Sequence, residues 1–105
     1  MQEIIVVMTT FKDEEDAARV GRVLVEGKLA ACCNIVKGIR SIYIWEGATQ
    51  EENEVLMLIK TRRGLFHAVE AEIKRLHSYS MPEIAALPVT MGSDVYLHWL
   101  ERSTL

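Results

Sequence analysis

The sequence is poor in the residues that mark the most easily recognised sites. Among 105 residues there are two cysteines, and they are neighbours, Cys32-Cys33. An adjacent pair is no disulfide framework. No C-x-x-C, H-x-x-x-H or H-E-x-x-H spacing occurs, so the common zinc motifs are missing. Two prolines and six glycines are spread along the chain. They leave no linker, and the chain reads as one domain over 1–105. No apolar run approaches the ~20 residues that a membrane span needs. The start of the chain lacks a basic segment, and its apolar stretch is too short for a signal peptide, so the expected compartment is the cytosol. Positive charge is also short: Lys+Arg 12 against Asp+Glu 15 gives a net charge of −3. That balance is a poor basis for capturing nucleic acid. No Ser-His-Asp order, catalytic carboxylate pair or phosphate loop stands out, and no residue set asks for an enzyme.

What is present is periodic apolar sequence. Residues 3–10 are β-branched and apolar, of strand length. Asp13 suits the cap of a helix with an acidic first turn, Glu14-Glu15-Asp16. Ala17, Val20, Gly21, Leu24 and Val25 share a face of that helix, which should end near Gly27 or Lys28. Residues 31–46 form a long mixed segment in which Lys37-Gly38 is the expected kink or bulge. Beyond it, Ile42 and Ile44 oppose Ser41, Tyr43 and Trp45. Gly47 to Asn53 reads as a polar turn, and Val55 to Ile59 as a strand pairing back antiparallel. Arg62 to His77 reads as a second helix with a Leu65, Phe66, Val69, Ile73, Leu76 stripe. A short strand over 84–89 follows. A last helix over 94–101 is capped by Ser93, with Tyr96, Trp99 and Leu100 on one side.

The order β-α-β-β-α-β-α predicts an α+β fold: a ferredoxin-like βαββαβ sandwich with an extra C-terminal helix. Right-handed crossovers put both main helices on one face of the sheet. Strand Val55–Ile59 is nevertheless apolar on both faces. A strand with one wet face alternates, so a homo-oligomer is expected to cover the second face. The alternative is that the third helix alone covers it. An RNA-recognition reading of the same element order fails, because the central strands Ile4–Thr9 and Val55–Ile59 hold no aromatic on which to stack bases.

The chemistry-bearing residues leave alternatives open. Cys32 and Cys33 on a strand point to opposite faces. They are either two small buried hydrophobes or one hydrophobe and one exposed thiolate serving a soft metal. His67 and His77 lie roughly 80° off a common helical face and form no pair of ligands. His77 ends a helix and opens the break His77-Ser78-Tyr79-Ser80-Met81-Pro82-Glu83, where a structural and a functional role compete. Lys60-Thr61-Arg62-Arg63 is either an anion-attracting helix start or an ordinary solvated turn. Trp45-Glu46-Gly47 reads as the anchored tip of a hairpin.

Several segments resemble one family in order and spacing over nearly the whole chain. Gly27-Lys28-Leu29-Ala30-Ala31-Cys32-Cys33-Asn34, Ser41-Ile42-Tyr43-Ile44-Trp45-Glu46-Gly47, Leu76-His77-x-Tyr79-x-x-Pro82-Glu83-Ile84 and Tyr96-Leu97-x-Trp99-Leu100 are similar to the motifs of the CutA divalent-cation tolerance proteins. The resemblance implies a fold shared with the PII regulators, a compact homotrimer, and involvement in tolerance to copper and other divalent ions. It implies an inter-subunit cleft containing Cys32, Trp45, Glu46, Lys60, His77, Tyr79 and Glu83. Some members take metal with a cysteine at the end of strand one and a His-His pair. Here those positions read Thr9-Thr10 and Leu76-His77, so the expectation is weak binding of copper or another divalent ion at His77. The alternative is PII-like signalling, with a small anionic ligand held near Lys60 and Arg62. A hydrolase or transferase acting in the same cleft is the least favoured reading, because no activated nucleophile can be named.

Overall fold

The computed structural model describes residues 3–105. Strand β1 (Ile4–Phe11) is followed by helix α1 (Glu14–Glu26), strands β2 (Cys32–Trp45) and β3 (Ala48–Arg62), and a single 3-10 turn over 63–65. Helix α2 (Phe66–Leu76), strand β4 (Ala85–Pro88) and helix α3 (Asp94–Arg102) complete the chain. The sheet order is β2-β3-β1-β4, with every neighbouring pair antiparallel. This is the ferredoxin-like order that the sequence predicts, with α3 appended. No helix among the described residues is long and apolar enough to cross a membrane.

Alternation in β1 and β3 decides what is core. Ile5, Val7 and Phe11 share a face with Val55, Met57 and Ile59, and all six are buried together with Ala17, Val20 and Leu24 of α1 and Val69 and Ile73 of α2. Both main helices therefore lie on one side. Gly21 lets α1 approach closely: a Cβ there would lie 3.2 Å from Met57 Sδ and 3.4 Å from Cys33 Cβ. Val25, expected on the buried stripe, is instead exposed, because it lies at the rim, one residue before the helix end.

Capping fixes the helix ends. Asp13 Oδ1 accepts from the Asp16 amide at 2.8 Å, and Ser93 accepts from Tyr96 N, as their positions suggest. The second helix is shorter than the expected 62–77. Arg62 is extended and pairs with Ile4 at the end of β3, while His77 turns extended as the C-terminal cap.

The hairpin differs more from expectation. Gly47 to Asn53 is not a turn. Only Glu46 and Gly47 turn, both at positive φ (51° and 80°), as a two-residue hairpin requires. Residues 48–53 are strand, paired with 40–45. They read as loop because this part of the hairpin projects beyond the helices, so neither face demands apolar residues. The Lys37-Gly38 bulge is present, with Gly38 at φ 79° and a register shift between Val36 and Ile39. It exchanges the two sides of β2. Before it, Val36 opposes Leu56; after it, the odd residues Ile39, Ser41 and Tyr43 oppose Glu54, Glu52 and Gln50.

The second face of the sheet carries Val6, Met8, Val36, Leu56, Leu58 and Leu87. Helix α3 covers only one end of it, where Leu100 and Leu97 pack on Ile4, Ala31 and Val89. Val36 and Leu87 stay exposed.

Asp16 ties α1 to the segment after α2. Its carboxylate accepts from Arg19 at 2.7 Å and from Ser78 Oγ at 2.9 Å, and Arg19 also donates to the Leu76 carbonyl at 2.8 Å. Burial pushes the Asp16 carboxyl up, but the bonds from Arg19 and Ser78 and the charges of Arg19 and Lys12 outweigh it and hold it below the usual range. A carboxylate held low stabilises the fold above its unfolded pKa of about 4, and that contribution fades as pH falls further. Asp16→Asn should therefore cost about 2 kcal/mol at neutral pH and progressively less below about pH 4. Urea unfolding across pH checks this, and a difference that grows in acid would contradict it.

Candidate functional site

The bulge and the projecting hairpin build a broad concavity. After the bulge, Ser41, Tyr43 and Trp45 share a face with Gln50, Glu52 and Glu54. That face and the segment Tyr79-Ser80-Met81-Pro82-Glu83 enclose a groove of about 930 Å3, which Thr10 and Ile42 also line. Three carboxylates line it (Glu52, Glu54 and Glu83), and no lysine, arginine or histidine does. Glu54 is only 8% exposed. Its Oε2 accepts from the Tyr79 hydroxyl at 2.7 Å. Burial and the neighbouring Glu54 carboxylate push the Tyr79 phenol above the ordinary tyrosine range, so it is a fixed donor at neutral pH.

His77 sits beneath this wall. Its Nδ1 accepts the Tyr79 backbone N–H at 3.0 Å, which leaves the proton of the neutral ring on Nε2, and Nε2 donates to the Thr10 carbonyl at 2.7 Å. The ring stacks on Phe11 at 4.3 Å and lies 4.7 Å from the Tyr79 ring. His77 thus clamps the end of α2 to β1 and positions Tyr79. Both nitrogens are committed, and a metal ligand needs a free imidazole lone pair. Among the described residues no three His, Cys, Asp or Glu side chains converge as a metal site. The residues present do not fit copper at His77.

The other residues singled out in the sequence divide by position. Trp45, Tyr79 and Glu83 meet in the groove, and Glu46 forms the turn at the tip of the arm. Cys32, Lys60 and Arg62 gather at the far end of the same sheet face. Lys60 opposes Cys32, its Nζ stands 5.8 Å from the Tyr96 ring centroid, and Arg62 Nε donates to Thr104 Oγ1 at 2.8 Å. Lys60 lies six residues along β3 from Glu54, about 20 Å. Within one chain these are two places. The sequence reading missed Thr10, Tyr43, Glu52 and Glu54. The period-two spacing of Gln50, Glu52 and Glu54, continuous with Leu56 and Leu58, was the available signal.

The two cysteines separate as neighbours on a strand must, and both are free thiols. Cys33 packs against the core, its Sγ 4.0 Å from the Gly21 carbonyl. Burial, with a smaller contribution from Cys32, pushes the Cys33 thiol up to about 12.

Two outcomes follow. Cys33 should alkylate with iodoacetamide roughly a hundredfold or more slower in the folded protein than in urea at mildly alkaline pH, because the thiolate is the nucleophile. Peptide mass analysis gives both rates, and equal rates would contradict the assignment. His77→Ala should cost about 3 kcal/mol in denaturant unfolding, through two lost buried hydrogen bonds and a lost ring contact. In the parent, nitrogen NMR should show the proton on Nε2, and adding Zn2+ should leave that pattern unchanged. A metal-shifted Nδ1 would overturn the structural role.

Known proteins agree with this architecture. The profile of the CutA1 divalent ion tolerance proteins matches residues 5–103. "Divalent-cation tolerance protein CutA" of Thermus thermophilus is 46% identical over 99 residues, covering 94% of this chain and 96% of that protein. "Protein CutA, chloroplastic" of Arabidopsis thaliana is 46% identical over 100 residues, 95% of this chain. The chain spans only 55% of that plant protein's length. The crystal structure of CutA1 from Oryza sativa superposes with a TM-score of 0.96 at 43% identity, covering 99% of this chain and 95% of that one. By sequence profile, by identity along almost its full length, and by fold, the chain belongs to the CutA1 divalent ion tolerance family.

Proposed function

We propose that the protein takes part in the cytosolic response to divalent metal ions as a homotrimer, and that any binding of copper or a similar ion is weak. The observation that carries the assembly is the half-covered sheet. Val6, Met8, Leu56 and Leu58 form an apolar strip that α3 leaves open, and Val36 and Leu87 extend it on the same face at 39% and 54% exposure. Contiguous apolar surface of this kind marks an interaction site. A closed ring of identical subunits would cover the same strip in every copy.

Support for the metal role comes from family membership. Weak binding accords with the chemistry: the two thiols lie on opposite faces, and His77 is fully hydrogen-bonded. Tight copper sites gather several soft or imidazole ligands. The anionic-ligand alternative gains no specific support, since Lys60 stands against Tyr96 and Arg62 against Thr104.

Native mass spectrometry should find a species of about 36 kDa, three times the 11.9 kDa chain. Leu58→Glu, which places a charge on the open strip, should shift the population to monomer, and the parent's thermal stability should rise with protein concentration. Calorimetric copper titration should give affinities in the micromolar range or weaker. A monomeric parent, or a nanomolar copper site, would refute the corresponding part.

A further inference from the structure

We propose that the contact between His77 and Tyr79 is a pH-sensitive latch: a neutral imidazole holds residues 78–83 against the body of the chain, and protonation of the ring releases them. That segment is lightly held. Residues 78–83 form neither helix nor strand. Among the described residues three hydrogen bonds tie them down. Ser78 Oγ donates to Asp16 Oδ2 at 2.9 Å, the Tyr79 hydroxyl donates to Glu54 Oε2 at 2.7 Å, and the Tyr79 amide donates to His77 Nδ1 at 3.0 Å. A surface segment with so few ties can open locally while the core stays folded.

The ring contacts demand a neutral imidazole. The Thr10 carbonyl can only accept, so Nε2 carries the proton and Nδ1 offers the lone pair to Tyr79. In the imidazolium both nitrogens donate. An Nδ1–H would then point at the Tyr79 N–H, two donors with no acceptor between them. Thr10 keeps its bond in either state, so the ring stays on β1 and Tyr79 is the partner displaced. His77 is buried, and a buried amide without an acceptor is costly, so relief comes from the segment moving outward into water. Histidine is the side chain that ordinarily gains its charge between about pH 8 and 5.

Charged groups surround the ring without bonding to it. Asp16 and Arg19 of α1 reach Ser78 and the Leu76 carbonyl. Lys12 follows Phe11 in the chain, Lys74 and Arg75 lie in the last turn of α2, and Glu54 of β3 is reached only through the Tyr79 hydroxyl. The ring nitrogens meet Thr10 and Tyr79 instead, so no carboxylate accepts from an Nδ1–H in the closed arrangement. Asp16 is held below the usual carboxylate range, which keeps the Ser78 tie intact while an imidazole charges. The layer of Val7, Met57, Ile59, Val69 and Ile73 beneath contains no titratable group. Both ring contacts are made within one chain, so the latch does not depend on assembly.

Nitrogen and amide NMR of the full chain between about pH 7.5 and 5 tests it. The Tyr79 amide should shift along the same curve as the His77 ring nitrogens. Its hydrogen-exchange protection, corrected for the intrinsic pH dependence of exchange, should fall roughly tenfold, while the amides of Val7 and Ile73 stay protected. His77→Asn keeps an acceptor two residues before Tyr79 but cannot titrate, and should remove the step. His67→Ala and a folded Glu54→Gln should retain it. Should His77→Asn fail to fold, the ring and amide curves of the parent decide alone. A ring that charges while the Tyr79 amide stays unmoved, a ring still neutral at about pH 5, a step that persists in His77→Asn, or one that vanishes in Glu54→Gln would overturn the proposal. Native mass at each pH, read on the same samples, separates release of the segment from loss of assembly.

Discussion

A sheet with two apolar faces and helices enough for one is the constraint on which this structure depends. Strand β3 embodies it. Val55, Met57 and Ile59 are buried beneath α1 and α2, while Leu56 and Leu58, between them, face the other way with only α3 nearby. Apolar area taken from water stabilises a fold at roughly 25 cal/mol per Å2, so an uncovered face of this kind is a reservoir of association energy. The topology allows no internal remedy. Right-handed crossovers put both long helices on one side, and α3, with nine residues, reaches only the end around Ile4 and Ala31.

Elements whose pattern is set by burial were legible in the sequence, and elements set by solvent were not. β1, α1, α2 and α3 all have one side pressed into the core, and their periodicity, together with the Asp13 and Ser93 caps, revealed β1, α1 and α3 to within a residue or two and α2 with a start four residues too early. The arm from 39 to 54 has no such demand. Its polar half, Thr49 to Asn53, satisfies strand geometry through backbone pairing alone, and Glu-rich sequence without an apolar face reads as loop. The exposure of Val25 has the same origin: spacing places it on the stripe, but the stripe outlasts the surface beneath it.

The site followed the same logic. Tyr79, Trp45 and Glu83 could be singled out because aromatic and charged residues near a break draw attention. Thr10 could not, and Glu54 offered only its period-two spacing with Glu52, since their significance arises when β1, β3 and the segment after α2 are brought together. His77 shows the reverse. It stood out as a candidate ligand, yet the fold uses both ring nitrogens to hold Tyr79 and Thr10 in place. A histidine at the junction of a helix, a strand and a loop is well suited to fastening, because one ring both donates and accepts while its flat faces pack between Phe11 and Tyr79.

The bulge at Lys37-Gly38 has a consequence for how such a chain can change over time. Side chains alternate along a strand, so facing is inherited from residue to residue, and a substitution pattern suited to the core would normally dictate the pattern of the arm. One extra residue cancels that inheritance. The stem of β2 answers to Met57 and Ile59, and the arm answers to the groove, with Gly38 at its positive φ as the joint between them. Two stretches of a single strand thereby become separately adjustable parts: one is tied to the core and the other to the arm's own faces, and losing or gaining one residue at the joint would turn the arm inside out without disturbing the hydrophobic interior.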